Sequence, residues 1–185
     1  MKYLLLVAVL LLFAGLAFLA MRWPQDFSKT FSHHAAAQKA SSIYFFLLFS
    51  VVIPLLVLFF YGYFIPAYHL GLIFSVAIGI AIAGQFVAAV VPEADGRKSQ
   101  VHRTVTGWSA FGLFVAVITV MVELPLPLYG YIFGGVTIAV MLFCSMLAFR
   151  DFLRRRPFQH RYFLWLQIIY YAMFFGFVGA VTYLK

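Results

Sequence analysis

Six long apolar runs alternate with short polar segments along this chain, at about 3–21, 43–65, 70–91, 105–122, 128–149 and 162–184. Each run is about 18 to 23 residues, enough at ~1.5 Å rise per residue to cross a ~30 Å hydrocarbon core. Strands of a membrane barrel would be about ten residues long and would alternate apolar with polar positions. Continuous runs satisfy their backbone groups inside a bilayer as helices. The pattern therefore predicts an all-α fold, a polytopic integral membrane bundle of six transmembrane helices. The runs use most of a chain of 185 residues that is 65% hydrophobic and 10% charged. Residues 1–185 are accordingly read as a single membrane domain with no soluble partner domain.

Charge adds an orientation. Eleven of the thirteen Lys and Arg residues fall after the first, third and fifth runs. They are Arg22, Lys29 and Lys39; then Arg97, Lys98 and Arg103; then Arg150, Arg154, Arg155, Arg156 and Arg161. The opposite side holds only Lys2 and Lys185. Basic loops stay in the cytoplasm, so both termini are expected outside a bacterial or archaeal cytoplasmic membrane. Tyr3, Tyr61, Tyr63, Tyr68, Tyr129, Tyr131 and Tyr183 fall at the outer ends, and Trp23, Tyr44, Tyr162 and Trp165 at the inner ones, as two aromatic belts would. The formal charge of +8 is accounted for by this topology and by attraction to anionic headgroups, so membrane lipids and not nucleic acid are the expected partners. The first run resembles a secretory signal. Its apolar stretch of about 19 residues exceeds a signal core, and cleavage would put Arg22, Lys29 and Lys39 outside, so it is expected to remain as a helix. The lone Cys144 excludes an intrachain disulfide.

Short outer connections at 65–69 and 123–127 predict antiparallel hairpins of the second with the third helix and the fourth with the fifth. Pro54 inside the second run is expected to free the carbonyl of Ser50 and bend that helix. Small residues recur every four positions at Gly71, Ser75, Gly79 and Ala83, and again at Ala172, Gly176 and Ala180, with Gly112 and Ala116 on the fourth run. Such strips let helices approach closely and are expected to be the packing seams. Ser32 is a candidate cap for a helix through 35–40 that runs into the second span along the inner interface. Gln85 and Gln167 are expected to hydrogen-bond between the third and sixth helices. The aromatic sixth run, with Trp165, Tyr170, Tyr171, Phe174, Phe175 and Phe177, suits either a lipid face or a contact with another copy or membrane protein.

Chemistry-bearing residues are sparse. No Asp, Glu, Lys or Arg lies at mid-depth, which speaks against an ion-coupled transporter. The densest polar stretch is Pro92-Glu93-Ala94-Asp95-Gly96-Arg97-Lys98-Ser99-Gln100-Val101-His102-Arg103. Glu93, Asp95 and His102 are the candidates for acid–base work; Asp95 with His102 is the candidate metal pair, or the stretch is a solvated loop. Arg97, Lys98, Arg103, Arg154, Arg155 and Arg156 are the candidates for holding lipid headgroups. Four histidines, His33, His34, His102 and His160, share the inner side, but His102 and His160 fall at helix ends and not on facing helices, which disfavours haem. No cofactor is expected. The leading reading is a lipid-interacting or accessory membrane protein. The alternatives are a membrane-embedded enzyme on a lipid-like substrate and a small transporter near Pro54 and Gln85.

The string Val91-Pro92-Glu93-Ala94-Asp95…Val101-His102…Gly107…Phe111 resembles a pattern in six-helix membrane proteins of the Frag/DRAM/Sfk type and their prokaryotic relatives. The resemblance implies the same six-span layout, and maps Asp95 (or Glu93) and His102 onto that family's polar cluster. Its eukaryotic members are linked to membrane-lipid and trafficking roles. Here Glu-x-Asp stands where a single acid is typical, which leaves open which acid corresponds.

Overall fold

The computed structural model describes residues 1–26, 28–91, 97–153 and 163–183, with the side chains of 97–99 and 149–153 outside that description. Its elements are α1 (Tyr3–Arg22), α2 (Phe31–Ala36), α3 (Lys39–Phe59), a π-helical turn (Phe60–Phe64), α4 (Ile65–Tyr68), α5 (Leu72–Val90), α6 (Arg97–Glu123), α7 (Leu128–Leu153) and α8 (Phe163–Tyr183). Six stretches are long and apolar enough to cross a membrane, with Lys39–Tyr68 counting as one. Large apolar side chains such as Leu6, Leu10, Leu47, Ile73 and Phe143 stand exposed on the outside of these helices. A helix apolar on its buried and exposed faces alike matches a surface that meets hydrocarbon.

Five helices close into a ring. α1 packs on α3, α3 on α5, α5 on α6, α6 on α8, and α8 returns to α1, while α7 lies against α6 and α8. The expected hairpins across the outer connections are neighbours, α3 with α5 and α6 with α7, but α5 with α6 and α1 with α3 are the most extensive pairs. α1 contributes Leu5, Ala8, Leu12, Leu16 and Leu19 to the buried interior.

The α5–α6 pair is close because small residues meet there. α5 buries Ala77, Ala81, Gly84 and Ala88. A Cβ at Gly112 of α6 would lie 2.5 Å from the Ala77 carbonyl oxygen, and one at Gly84 would lie 2.6 Å from that of Val105. Backbone touches backbone, so nothing larger than hydrogen fits. The seam is thus displaced from the expected strip. Gly71 and Ala83 are exposed and Ser75 and Gly79 half-buried, with Gly79 lying under the Tyr61 hydroxyl, where a Cβ would be 2.9 Å from it. On α8 the strip is turned away too: Ala172 and Gly176 are exposed and Ala180 half-buried, while Tyr170, Phe174, Phe177, Val178 and Val181 face inward. The aromatic helix therefore supplies core, with Trp165 left outside.

α3 runs unbroken through Pro54, which is exposed on its outer side. The irregularity comes later. Ile65 N–H bonds back to Phe60 O, five residues away, just before Pro66. Pro66 cannot donate the next helical bond, and a widened turn absorbs that misfit. The segment expected as a loop at 65–69 is accordingly helical to Tyr68, and the chain reverses at His69, whose φ is 53°. The wide turn brings Phe59, Phe60 and Phe64 together against Phe74 and Phe174, all buried, with neighbouring ring centroids 5.0 to 6.3 Å apart. Beside this cluster Glu123, at the end of α6, accepts a 2.7 Å hydrogen bond from Gly71 N–H and so caps the start of α5.

Gly112→Ala and Gly84→Ala are each expected to destabilise the bundle by about 1–3 kcal/mol through backbone overpacking. Gly107→Ala, where a Cβ meets nothing within 4 Å, is expected to be neutral. Thermal unfolding in detergent tests the ranking, and equal melting temperatures for the three would contradict the seam.

Candidate functional site at the histidine end

Two helix ends at one end of the bundle are built alike. α1 stops at Trp23 before Pro24, with φ −128° and ψ 71° at Trp23, and α5 stops at Val91 before Pro92, with φ −115° and ψ 78° at Val91. A residue before proline is driven out of the helical region, and proline has no N–H to offer. The terminal carbonyls therefore need partners from elsewhere. His34 Nδ1 lies 3.0 Å from Trp23 O, and His102 Nδ1 lies 2.8 Å from Val91 O, each histidine eleven positions beyond its partner. A carbonyl oxygen only accepts, so both Nδ1 atoms carry the proton. In the neutral ring Nε2 is then the bare nitrogen. Both rings are buried, His34 to 2% exposure and His102 to 5%. Among the described residues His34 Nε2 has no hydrogen-bond partner.

The segment between α1 and α3 folds over this end of the ring. Thr30, not Ser32, caps α2, its hydroxyl accepting from His33 N–H. The helix does not run on into α3: Gln38 is extended, and the Ser41 and Ser42 hydroxyls each donate to Ala35 O at 2.8 Å. Phe31, Ser32, His34 and Ala35 are buried, so α2 is packed into the bundle and does not lie along its surface. Phe31 N–H donates to Gln167 Oε1 of α8 at 3.2 Å.

Under α2 lies a cavity of about 30 Å³ whose polar lining residues are Ser32, Gln85, His102, Thr106, Gln167 and Tyr171. It shares Leu16, Phe49, Gln85 and Tyr171 with a second cavity of about 50 Å³ in the centre of the ring. The central space is walled by residues such as Leu12, Val52, Ile78, Leu113 and Phe174, drawn from α1, α3, α5, α6 and α8. Among the described residues no charged side chain lines either cavity. Pro54 does not line the central space, whereas Gln85 does. At the join, Gln85 Nε2 donates to Ser109 Oγ at 2.9 Å and to the Tyr171 hydroxyl at 2.6 Å. Gln85 thus ties α5 to α6 and α8, while Gln167 serves α2 instead of meeting it.

The remaining sequence candidates divide by position. Glu93, Asp95, Arg154, Arg155 and Arg156 lie outside the described residues, as do the side chains of Arg97 and Lys98. Arg103 is exposed. α6 begins at Arg97, so His102 stands inside a helix and not at its end, a correction to its expected place. Among the described residues no three His, Cys, Asp or Glu side chains gather as a metal site would need. Sequence reasoning passed over His34 as a functional equal of His102. The signal was there, since Pro24 precedes His34 and Pro92 precedes His102 at the same spacing, each pair closing a long apolar run.

His34→Leu and His102→Leu are each expected to lower stability by about 1–3 kcal/mol, since each leaves a buried carbonyl unpaired. Asparagine at either position keeps an N–H at the place of Nδ1 and is expected to restore most of the loss in detergent unfolding assays. If Asn fared no better than Leu, the carbonyl bond would not be what the histidines supply.

Compared with known proteins, the chain matches no family model, no curated protein and no solved structure.

Proposed function

We propose that this is an integral membrane protein with both termini outside, which binds membrane lipid at its cytoplasmic face. The observation that carries the reading is the exposed apolar surface of six long helices, with basic residues concentrated in the segments after the first, third and fifth of them. Arg97, Lys98, Arg103, Arg154, Arg155 and Arg156 are the residues to hold anionic headgroups, and each basic residue near such a surface contributes about 1 kcal/mol.

Single cysteines at Lys2→Cys or Lys185→Cys are expected to react with an impermeant maleimide from outside intact cells, because Cys144 is buried. Reaction only after permeabilisation would reverse the orientation. In native mass spectrometry from mild detergent, phosphatidylglycerol is expected to be retained over phosphatidylcholine. That preference should fall by roughly a hundredfold when Arg154, Arg155 and Arg156 are changed to Gln. Equal retention of both lipids would remove the headgroup part of the reading.

A second reading, a membrane-embedded enzyme on a lipid-like substrate, is favoured by one observation. His102 is held through Nδ1 with Nε2 bare beside the cavity, the arrangement a general base needs. It predicts a pH-dependent turnover that disappears in His102→Asn while the fold persists.

A further inference from the structure

We infer that the cavity under α2 is a binding site for one internal water molecule, shared by His102, Gln167 and Tyr171. The inference is independent of the lipid-binding reading and rests on hydrogen-bonding capacity that these side chains leave unspent. Ser109 Oγ donates its proton to Ala81 O at 2.8 Å, so towards Gln85 it accepts, and the Gln85 atom facing it is nitrogen. The same nitrogen lies 2.6 Å from the Tyr171 hydroxyl, which therefore accepts there and keeps its own proton. Gln167 accepts from Phe31 N–H through Oε1, and its Nε2 holds two further protons. His102 gives Nδ1–H to Val91 O and offers Nε2 as an acceptor.

These three side chains line one cavity of about 30 Å³. A water molecule takes up about 30 Å³ in the liquid, and a buried one typically makes about three hydrogen bonds. Volume and bonding both fit. The water accepts from Tyr171 O–H and Gln167 Nε2–H and donates to His102 Nε2. An ion does not suit the site, because among the described residues no charged side chain lines it. An apolar occupant would leave two donors and an acceptor unpaired. The bridge joins two closures of this end of the bundle. His102 answers the end of α5, and Gln167 holds α2 through Phe31 N–H, so one water ties them together. His34 is the internal control. It too gives Nδ1–H to a carbonyl, Trp23 O, but it lines neither cavity.

The test is solid-state NMR of the full chain with isotope-labelled histidine in phosphatidylcholine bilayers, at about pH 8, above the ordinary histidine range. It measures magnetisation passed from water to each ring nitrogen. His34→Asn and His102→Asn each keep the N–H for the carbonyl, and they assign the two buried rings by the signal each removes. Transfer is expected to reach His102 Nε2 and to be absent at His34 Nε2. Tyr171→Phe keeps the ring, removes one of the three bonds, and should weaken the hold on the water about tenfold, read as loss of most of the His102 transfer. No transfer to His102 overturns the site. Equal transfer to both rings overturns it too, since water would then reach this whole end instead of one cavity. Transfer to His102 that Tyr171→Phe leaves unchanged overturns the bridge to α8.

Discussion

A helix that stops before a proline leaves carbonyl oxygens in need of partners, and one end of this bundle is shaped by how those oxygens are answered. At two ends the answer is a histidine set back into the next helical segment, His34 on Trp23 and His102 on Val91. Elsewhere tyrosines donate to backbone carbonyls of other segments, most of them not at a helix's C-terminal end. Tyr44 donates to Gly15 O, Tyr170 to Ala110 O, Tyr68 to Val181 O and Tyr183 to Lys2 O, at 2.6 to 3.1 Å. Lipid tails are as apolar as leucine, so burial alone gives these helices little reason to prefer one another. Directed bonds to backbone atoms supply that preference and fix which helices are neighbours.

The six spans were legible from the sequence because run length and continuity suffice to identify them, and no choice of face is involved. Choosing the face was the harder problem. On α5 the strip from Gly71 to Ala83 and the strip from Ala77 to Ala88 are both composed of small residues, and only the second meets α6. In a soluble helix the polar side would have marked the outside; here both sides are apolar. The same ambiguity put Ala172 and Gly176 at a seam when the aromatic side of α8 is the one that packs. Helix limits failed for a different reason. Charge at Arg97, Lys98 and Arg103 reads as loop in a hydropathy profile, but an α-helix tolerates charge once it leaves the hydrocarbon, and α6 begins at Arg97.

Of the candidate site, His102 was legible as a residue and illegible as a bond. Its partner is a backbone oxygen, which carries no sequence signature of its own. Only the repeated interval from proline to histidine betrays it, and that interval has to be seen twice to mean anything. The cavity was less legible still. Its lining comes from α1, α2, α3, α5, α6 and α8 together, and α7 takes no part in the ring that assembles them.

The π-helical turn has a consequence for how the longest span behaves. Inserting one residue into a helix rotates everything beyond it by about 100°, since 3.6 residues make a turn. Phe45, Phe49 and Val52 before the turn, and Phe60 and Phe64 at its two ends, therefore all face inward although the helical period is broken between them. One continuous span thus borders the polar cavity under α2 at its start and the aromatic cluster at its end, each with the face that its surroundings require.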